Sequence, residues 1–380
     1  MNITQRDLIM QRWTVLQEEI IPEYWQEHGT LTPKLEKLIH ILDWIRIEEF
    51  TASSWQGIGR KPHDRDALAS AFVAKAVLGC VTTTALIERL TMDKVLRRIC
   101  GFAMWKKLPH EASFSRAFDE FSQAQLAEKV HEALIKKYLG DELIGHLSRD
   151  GTAIEVREKP PKKIVDKSAE DEKLKTTSTE KKYGRGRPKK GEVRPPKEAK
   201  ETRIGRQLKQ PLAEILAALP KGTDRGTKCN AQGYKNSWNG CKLHLDTADC
   251  GVVISALLTS ASVHDSQAAV PLAMMSAERV TNLYDLMDAA YCSEEIREHS
   301  RSLGHIPLID HNPRGGDKKE FASHEAQRYK ERTQAERSNA RLKDEFGGRN
   351  VWVRGHKKIM CHLMFGLLAL TVDQLMRLYS

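Results

Sequence analysis

Tyr329, Arg332, Glu336 and Lys343 stand at offsets of 3, 7 and 14 residues within the window YKERTQAERSNARLK. On a helix of 3.6 residues per turn these offsets fall along one stripe. The spacing therefore predicts a single helical face carrying a phenol, a guanidinium, one carboxylate and an ammonium. A lone carboxylate among cations is a poor design for surface ion pairing and a good one for holding a divalent cation beside a phosphodiester. A solvated helix with i,i+4 ion pairs is the commoner occurrence for any charged helix taken alone; the four-residue spacing favours the first reading.

Such a helix needs acidic partners from elsewhere in the chain. Asp150 lies in HLSRDGTAIEV, where a short apolar stretch meets Asp-Gly-Thr and an extended pattern continues through Ala153, Ile154 and Val156. An Asp-Gly turn of a hairpin would use the same dipeptide. Asp288 lies in TNLYDLMDAAYCSEEIREH, after Leu283, Leu286 and Met287 and ahead of a helix starting near Ser293. Asp285 is a rival, and a period of two puts it on the opposite strand face from Asp288.

These motifs together resemble those of the DDE transposases of bacterial insertion sequences. Asp150-Gly151-Thr152 is similar to the DGT of that family's first strand. DAAYCS is similar to its D-x-G-Y-x-S, with Ala290 in the place of a glycine, and the match of Tyr291 and Ser293 selects Asp288 over Asp285. The resemblance implies an α/β ribonuclease H-like catalytic core behind an α-helical N-terminal DNA-binding domain. It implies Asp150, Asp288 and Glu336 as catalytic and metal-binding residues with two Mg²⁺ (or Mn²⁺) ions. Tyr329, Arg332, Lys343, Arg349 and Arg354 become DNA contacts. The implied activity is metal-dependent cleavage and strand transfer at terminal inverted repeats, without a covalent protein–DNA intermediate. The implied partners are double-stranded DNA of the repeats and of the target, bound by a homodimer. A transposase-derived regulator that only binds DNA and a ribonuclease H-like nuclease are the alternatives.

Between the aspartates, GYKNSWNGCKLHLDTADCGVVISALLTSASVHDSQ reads as a β-hairpin with strands at about 238–247 and 252–260 and a turn at 249–251. Asp265 is the expected N-cap of a helix running to about residue 279. The order strand, long excursion, hairpin, helix, strand, helix, strand, helix is that of a ribonuclease H-like core with an insertion after its first strand.

The charge of the chain is uneven. Residues 157–209 hold 19 Lys and Arg against nine Asp and Glu, so this segment alone accounts for the net charge of +10. Nearly free of large apolar residues, it cannot bury enough surface to offset its ordering entropy and is expected to be a flexible basic insert. Within it Arg185-Gly186-Arg187-Pro188 resembles an AT-hook, in which two arginines enter a narrow A·T minor groove; a generic phosphate-binding linker is the alternative.

The remaining organisation divides at 1–55, an N-terminal helical arm; 56–140, helical and helix-turn-helix-like; and 141–380, the catalytic domain containing the insert. Breaks at Gly79, Thr82 to Thr84 and Asp93 separate short amphipathic stretches, and Arg97, Arg98, Lys106, Lys107 and Arg116 are candidate phosphate contacts. Seven scattered cysteines without a CxxC pair argue against a disulfide framework, and Cys241 with His244 is read as a strand pattern rather than a zinc site. The longest apolar run, 359–370, is short for a membrane span. With no signal-peptide core in MNITQRDLIMQRW, the expectation is a cytoplasmic, nucleoid-associated protein with no membrane segment. Trp352 is expected to be buried, beside Lys357 and Lys358 as further channel cations.

Overall fold

The computed structural model describes residues 31–51, 62–103, 106–160, 201–229, 232–313 and 317–379. Among the described residues six α-helices precede the first strand: α1 (Pro33–Ile45), α2 (Arg65–Val77), α3 (Thr83–Met92), α4 (Lys94–Ile99), α5 (Glu111–Ala124) and α6 (Leu126–Leu139). Their starts follow capping chemistry legible in the sequence. Thr82 Oγ1 accepts from Ala85 N at 3.0 Å and Asp93 Oδ1 from Leu96 N at 2.8 Å, each satisfying an orphan donor of a first turn. Helix α2 is buried along its length from Ala67 to Val77, so it is enclosed rather than amphipathic.

The sheet begins with β1 (Leu143–Glu155). Then come α7 (Arg203–Gln207), α8 (Leu212–Ala218), β2 (Asp224–Cys229), β3 (Lys235–Ala248), β4 (Val253–Ser260), α9 (Ser266–Ala277), β5 (Thr281–Met287), α10 (Glu294–Ser302) and β6 (Ile306–Ile309). The chain closes with α11 (Ser323–Tyr329), α12 (Thr333–Glu345) and α13 (His356–Tyr379). β1 pairs antiparallel with β3 and parallel with β5; β4 flanks β3 and β6 flanks β5. The expected hairpin and order of elements are present. β2 was not expected: DRGTKC is polar and mostly exposed, and it extends the sheet by pairing with the first part of β3, beyond the end of β1. The described residues at both ends of the expected insert are seated on the fold. Arg157 N bonds Val351 O at one end. At the other, Thr202 Oγ1 caps α7 at Gly205 N and Gln207 Nε2 bonds Gln267 O at 2.9 Å. Arg185 and Arg187 lie outside the described residues.

The two faces of the sheet differ in chemistry. Ile154, Cys241, Leu243 and Leu245 make one face apolar, and α13 packs with it. Arg149, Asp246 and His244 make the other polar and buried, beneath α9 and α10. Cys241 and His244 thus point to opposite faces and share no zinc site. Helix α13 is long and apolar enough to cross a membrane by composition, but it is mostly buried here. It inserts between the sheet and the N-terminal helices. Phe365 meets Phe72 at a centroid distance of 5.7 Å and Phe118 at 6.3 Å. Residues of α1 to α6, the apolar sheet face and α13 form one continuous core, so residue 140 marks a change from helix to strand and not a gap between two cores.

Phe365→Ala is therefore expected to cost about 3–5 kcal/mol of stability, and chemical denaturation should show the N-terminal helices and the sheet unfolding together. Separate transitions would contradict the shared core.

Candidate active site

The helix predicted across 329–343 is interrupted. Tyr329 ends α11, a 3-10 turn spans Lys330–Arg332, and Glu336 and Lys343 stand in the first and last turns of α12. The four side chains are therefore not one helical stripe, although all lie along the sheet face carrying Ser148, Asp150 and Thr152. Ser148 Oγ donates to Glu331 O at 3.2 Å, Asn339 Nδ2 to Asp150 Oδ2 at 3.0 Å, and Lys343 Nζ to Thr152 Oγ1 at 2.6 Å. Alternate residues of β1 thus seat the turn and α12 in register, a consequence of the period of two.

Asp150 lies within β1, opposite Leu245 of β3. Burial pushes its carboxyl up to about 6, with Asp288 adding to the rise and Lys228 and Arg332 opposing it. Asp288 follows the last residue of β5, and its Oδ1 accepts from Ala290 N at 2.9 Å. Burial raises its carboxyl as well. Ala290 has an ordinary negative φ, so this turn has no need of the glycine usual there. Asp285 is excluded from the site: fully buried, it accepts from Ser300 Oγ at 2.7 Å, Asn282 Nδ2 at 3.0 Å and the His305 ring at 3.2 Å.

Glu336 is exposed and paired with Arg332. Arg332 links the acids, because its charge acts on Asp150 and Asp288 as well. Among the described residues no three His, Cys, Asp or Glu side chains converge tightly enough to chelate an ion as they stand. The three carboxylates still offer the oxygen donors that suit a hard divalent cation, and two of them, Asp150 and Asp288, are half-buried acids whose charge a cation would compensate. Engaging Glu336 requires its release from Arg332.

Several expected contacts have other partners. The Tyr329 hydroxyl donates to Met287 O at 3.1 Å, and burial pushes its pKa up to about 12, so it fixes the residue before Asp288. Arg349 pairs with Asp344, while Arg354 is exposed. Lys357 Nζ bonds Gln123 Oε1 at 2.6 Å and Lys358 pairs with Asp119 at 3.0 Å, tying α13 to α5. Trp352 is 49% exposed rather than buried, with the Arg157 guanidinium 5.1 Å from its ring centre. Arg97 donates to the carbonyls of Ala103 and Lys106 and so shapes a loop. A cleft beside it, of about 1250 Å³, is lined by Arg65, Lys107, His110 and Arg116.

Asn339 and Lys228 were missed by sequence reasoning. Asn339 follows Glu336 by three residues on the same face of α12, a spacing that could have flagged it. Lys228 carried no signal. It is exposed on β2, forms no ion pair among the described residues, and its charge acts on Asp150, Asp288 and Lys343 alike. Trp238 fixes the base of this β2–β3 ribbon: a Cβ on Gly226 would fall 2.4 Å from its ring.

A carboxyl whose folded pKa exceeds its unfolded value stabilises the fold below the unfolded value and loses that contribution as pH rises through the folded one. Asp150 rises from 3.8 to about 6. Asp150→Asn is therefore expected to melt above the parent protein by a few degrees near pH 8 in chelator, with the gap narrowing below about pH 6 and closing near 3.8. Melting curves over this pH range check this; a constant gap would place the cost elsewhere.

Comparison with known families bears on this arrangement. The family model described as Transposase DDE domain matches residues 145–372, and the one described as Transposase domain (DUF772) matches residues 23–120. Searches of curated proteins and of solved structures gave no match. The first match begins two residues into β1 and ends within α13, so it takes in Asp150, Asp288, Glu336 and every element that positions them. The chain belongs to the DDE transposases of insertion sequences.

Proposed function

We propose that Asp150, Asp288 and Glu336 are the catalytic carboxylates of this transposase, and that they hold two divalent ions, Mg²⁺ or Mn²⁺, while the protein cuts terminal inverted repeats and joins them to target DNA as a homodimer. The observation that carries the reading is the meeting of the three acids around Arg332, from the middle of β1, the end of β5 and the start of α12. When bound, the ions would make a water acidic enough to attack and would stabilise the departing oxygen.

The protein's own groups have separable tasks. Asn339 orients Asp150, and the Ala290 N–H orients Asp288. The Tyr329 hydroxyl holds the Met287 carbonyl, which sets where Asp288 projects. Arg332, Lys343 and Lys228 neutralise the phosphate as charge builds on it. In the first step a water oxygen bonds to phosphorus and the bond to the 3′ oxygen breaks, freeing a 3′-hydroxyl. In the second the oxygen of that hydroxyl bonds to a target phosphorus in line, the bond from that phosphorus to the target's own 3′ oxygen breaks, and the target strand is left with a 3′-hydroxyl. The N-terminal cleft with Arg65, Lys107 and Arg116 supplies cations for repeat binding, sequence-independent in their phosphate contacts. Joining of a pre-cut end to target DNA separates this function from that of a simple nuclease, and any cutting at all separates it from a DNA-binding regulator.

Glu336→Gln should lower cleavage of repeat-end DNA at least a hundredfold, about 3 kcal/mol of barrier or more, with DNA affinity retained. Gel assays of strand cleavage beside binding titrations decide; near-normal cutting in Mg²⁺ removes Glu336 from the site. Arg332→Ala and Lys343→Ala should each slow single-turnover cleavage far more than they lower the melting temperature, since partly exposed cations contribute only about 0–1 kcal/mol to folding. Variants that melt early yet cut normally at low temperature would make both cations scaffolding.

A further inference from the structure

Asp265 lies on the face of β1 opposite the side chain of Asp150. It occupies the N-cap position of α9 but makes no capping bond, because its own backbone is helical. Its Oδ1 instead meets Lys242 Nζ at 2.9 Å, and Lys242 also donates to Val263 O at 2.8 Å. The buried His244 ring lies alongside, with Nδ1 3.8 Å from the same oxygen and Nε2 2.9 Å from Thr259 Oγ1. Beside this ion-paired oxygen, His244 Nδ1 and Tyr291 Oη are buried with no hydrogen-bond partner among the described residues, an expensive concentration of polar atoms for a fold to keep without use. Burial pushes His244 down to about 4, so the ring is neutral and leaves the carboxylate charge in place.

Gly151 is what lets this group approach. A Cβ there would stand 2.8 Å from Asp265 Oδ1 and 3.0 Å from His244 Nδ1. Any larger residue would push the carboxylate off the β1 backbone immediately after Asp150. The edge of β1 is open at this point, because its pairing with β5 ends at Arg149 opposite Met287 and Asp288 follows directly. Across that edge the charge of Asp265 reaches Asp288. The Lys242–Asp265 pair is thus a dipole whose negative end abuts Gly151, the residue after Asp150, and whose carboxylate charge acts on Asp288.

We propose that Asp265 is a fourth carboxylate of the catalytic centre, a positioning residue that raises the affinity of the Asp150–Asp288 pair for a divalent cation through its charge without contacting the ion, with Lys242 and Gly151 as its mount. This rests on the reading of Asp150 and Asp288 as cation ligands. A negative charge at this range acts on a double positive one through partly buried surroundings, which supports an effect of roughly tenfold.

The test is titration of Mn²⁺ into the full-length protein by calorimetry, with no DNA present. Asp265→Asn should bind Mn²⁺ roughly tenfold more weakly than the parent protein, while Asp265→Glu, which keeps the charge, should recover much of the loss. Asp288→Asn should abolish binding. Should Asp265→Asn misfold by circular dichroism, the double variant Asp265→Asn with Lys242→Gln removes the pair together and leaves no buried charge unpaired; it should show the same weakening. Parent-like Mn²⁺ affinity in a folded Asp265 variant, with binding lost in Asp288→Asn, overturns the proposal alone. Parent-like affinity in Asp288→Asn overturns the ligand assignment on which it rests.

Discussion

The bidentate pairing of Arg149 with Asp246 is the contact on which the placement of Asp150 and Asp288 depends. Arg149 is fully buried, and its Nε and Nη2 donate to the two Asp246 carboxylate oxygens at 2.8 and 2.7 Å. Arg149 belongs to β1, Asp246 lies opposite it on β3, and Met287 lies opposite it on β5. One side chain therefore sits across the three central strands, at the residue before Asp150 and level with the residue before Asp288. Burial alone would weaken the guanidinium's hold on its proton; Asp246 and the nearby Asp285 more than offset it. A one-residue slip of β1 would place Arg149 on the apolar face and Asp150 beneath α9. The ion pair makes that slip costly, because either partner left alone would be a buried charge.

The same alternation divides the labour of the sheet. One face is polar at its centre and holds the strands in register beneath α9 and α10. The other is apolar, buries α13 and, through α13, the N-terminal helices, with Asp150 toward its rim. Stability and chemistry are kept apart by the direction in which successive Cβ atoms point. The acids carry a cost of their own: Asp150 and Asp288 are half-buried close together, and burial disfavours their charge. Arg332 and Lys228 relieve part of this. A divalent ion would relieve more, the usual relation between a strained acidic cluster and its function.

Much of this was legible residue by residue. The Asp150 and Asp288 strands, the hairpin turn with Gly251, and the caps at Thr82 and Asp93 rest on local chemistry, which acts over a few residues and survives in the sequence. Asp265 was placed correctly at the N-cap of α9, but its side chain makes no capping bond and pairs instead with Lys242, 23 residues earlier on β3. Trp352 was misjudged for a similar reason: Arg157, remote in sequence, covers its ring in place of a core. Lys228 was invisible because nothing local distinguishes one exposed lysine on a polar strand from another.

The sequence by itself determined the order of strands and helices, since periodicity is a property of the chain, and its motifs resemble those of the family that the comparison then showed. Tertiary structure decided which groups face Asp150, Asp288 and Glu336. It broke the predicted helix at the Lys330–Arg332 turn, turned the Tyr329 hydroxyl to the Met287 carbonyl, seated Asn339 on Asp150, and let the charges of Lys228 and Asp265 act on Asp288. The reason is physical. Helix and strand periods set the direction of a side chain relative to its own neighbours, whereas its partner across the sheet is set by strand register and by the packing of α12 and α13, which depend on contacts spread over the whole chain.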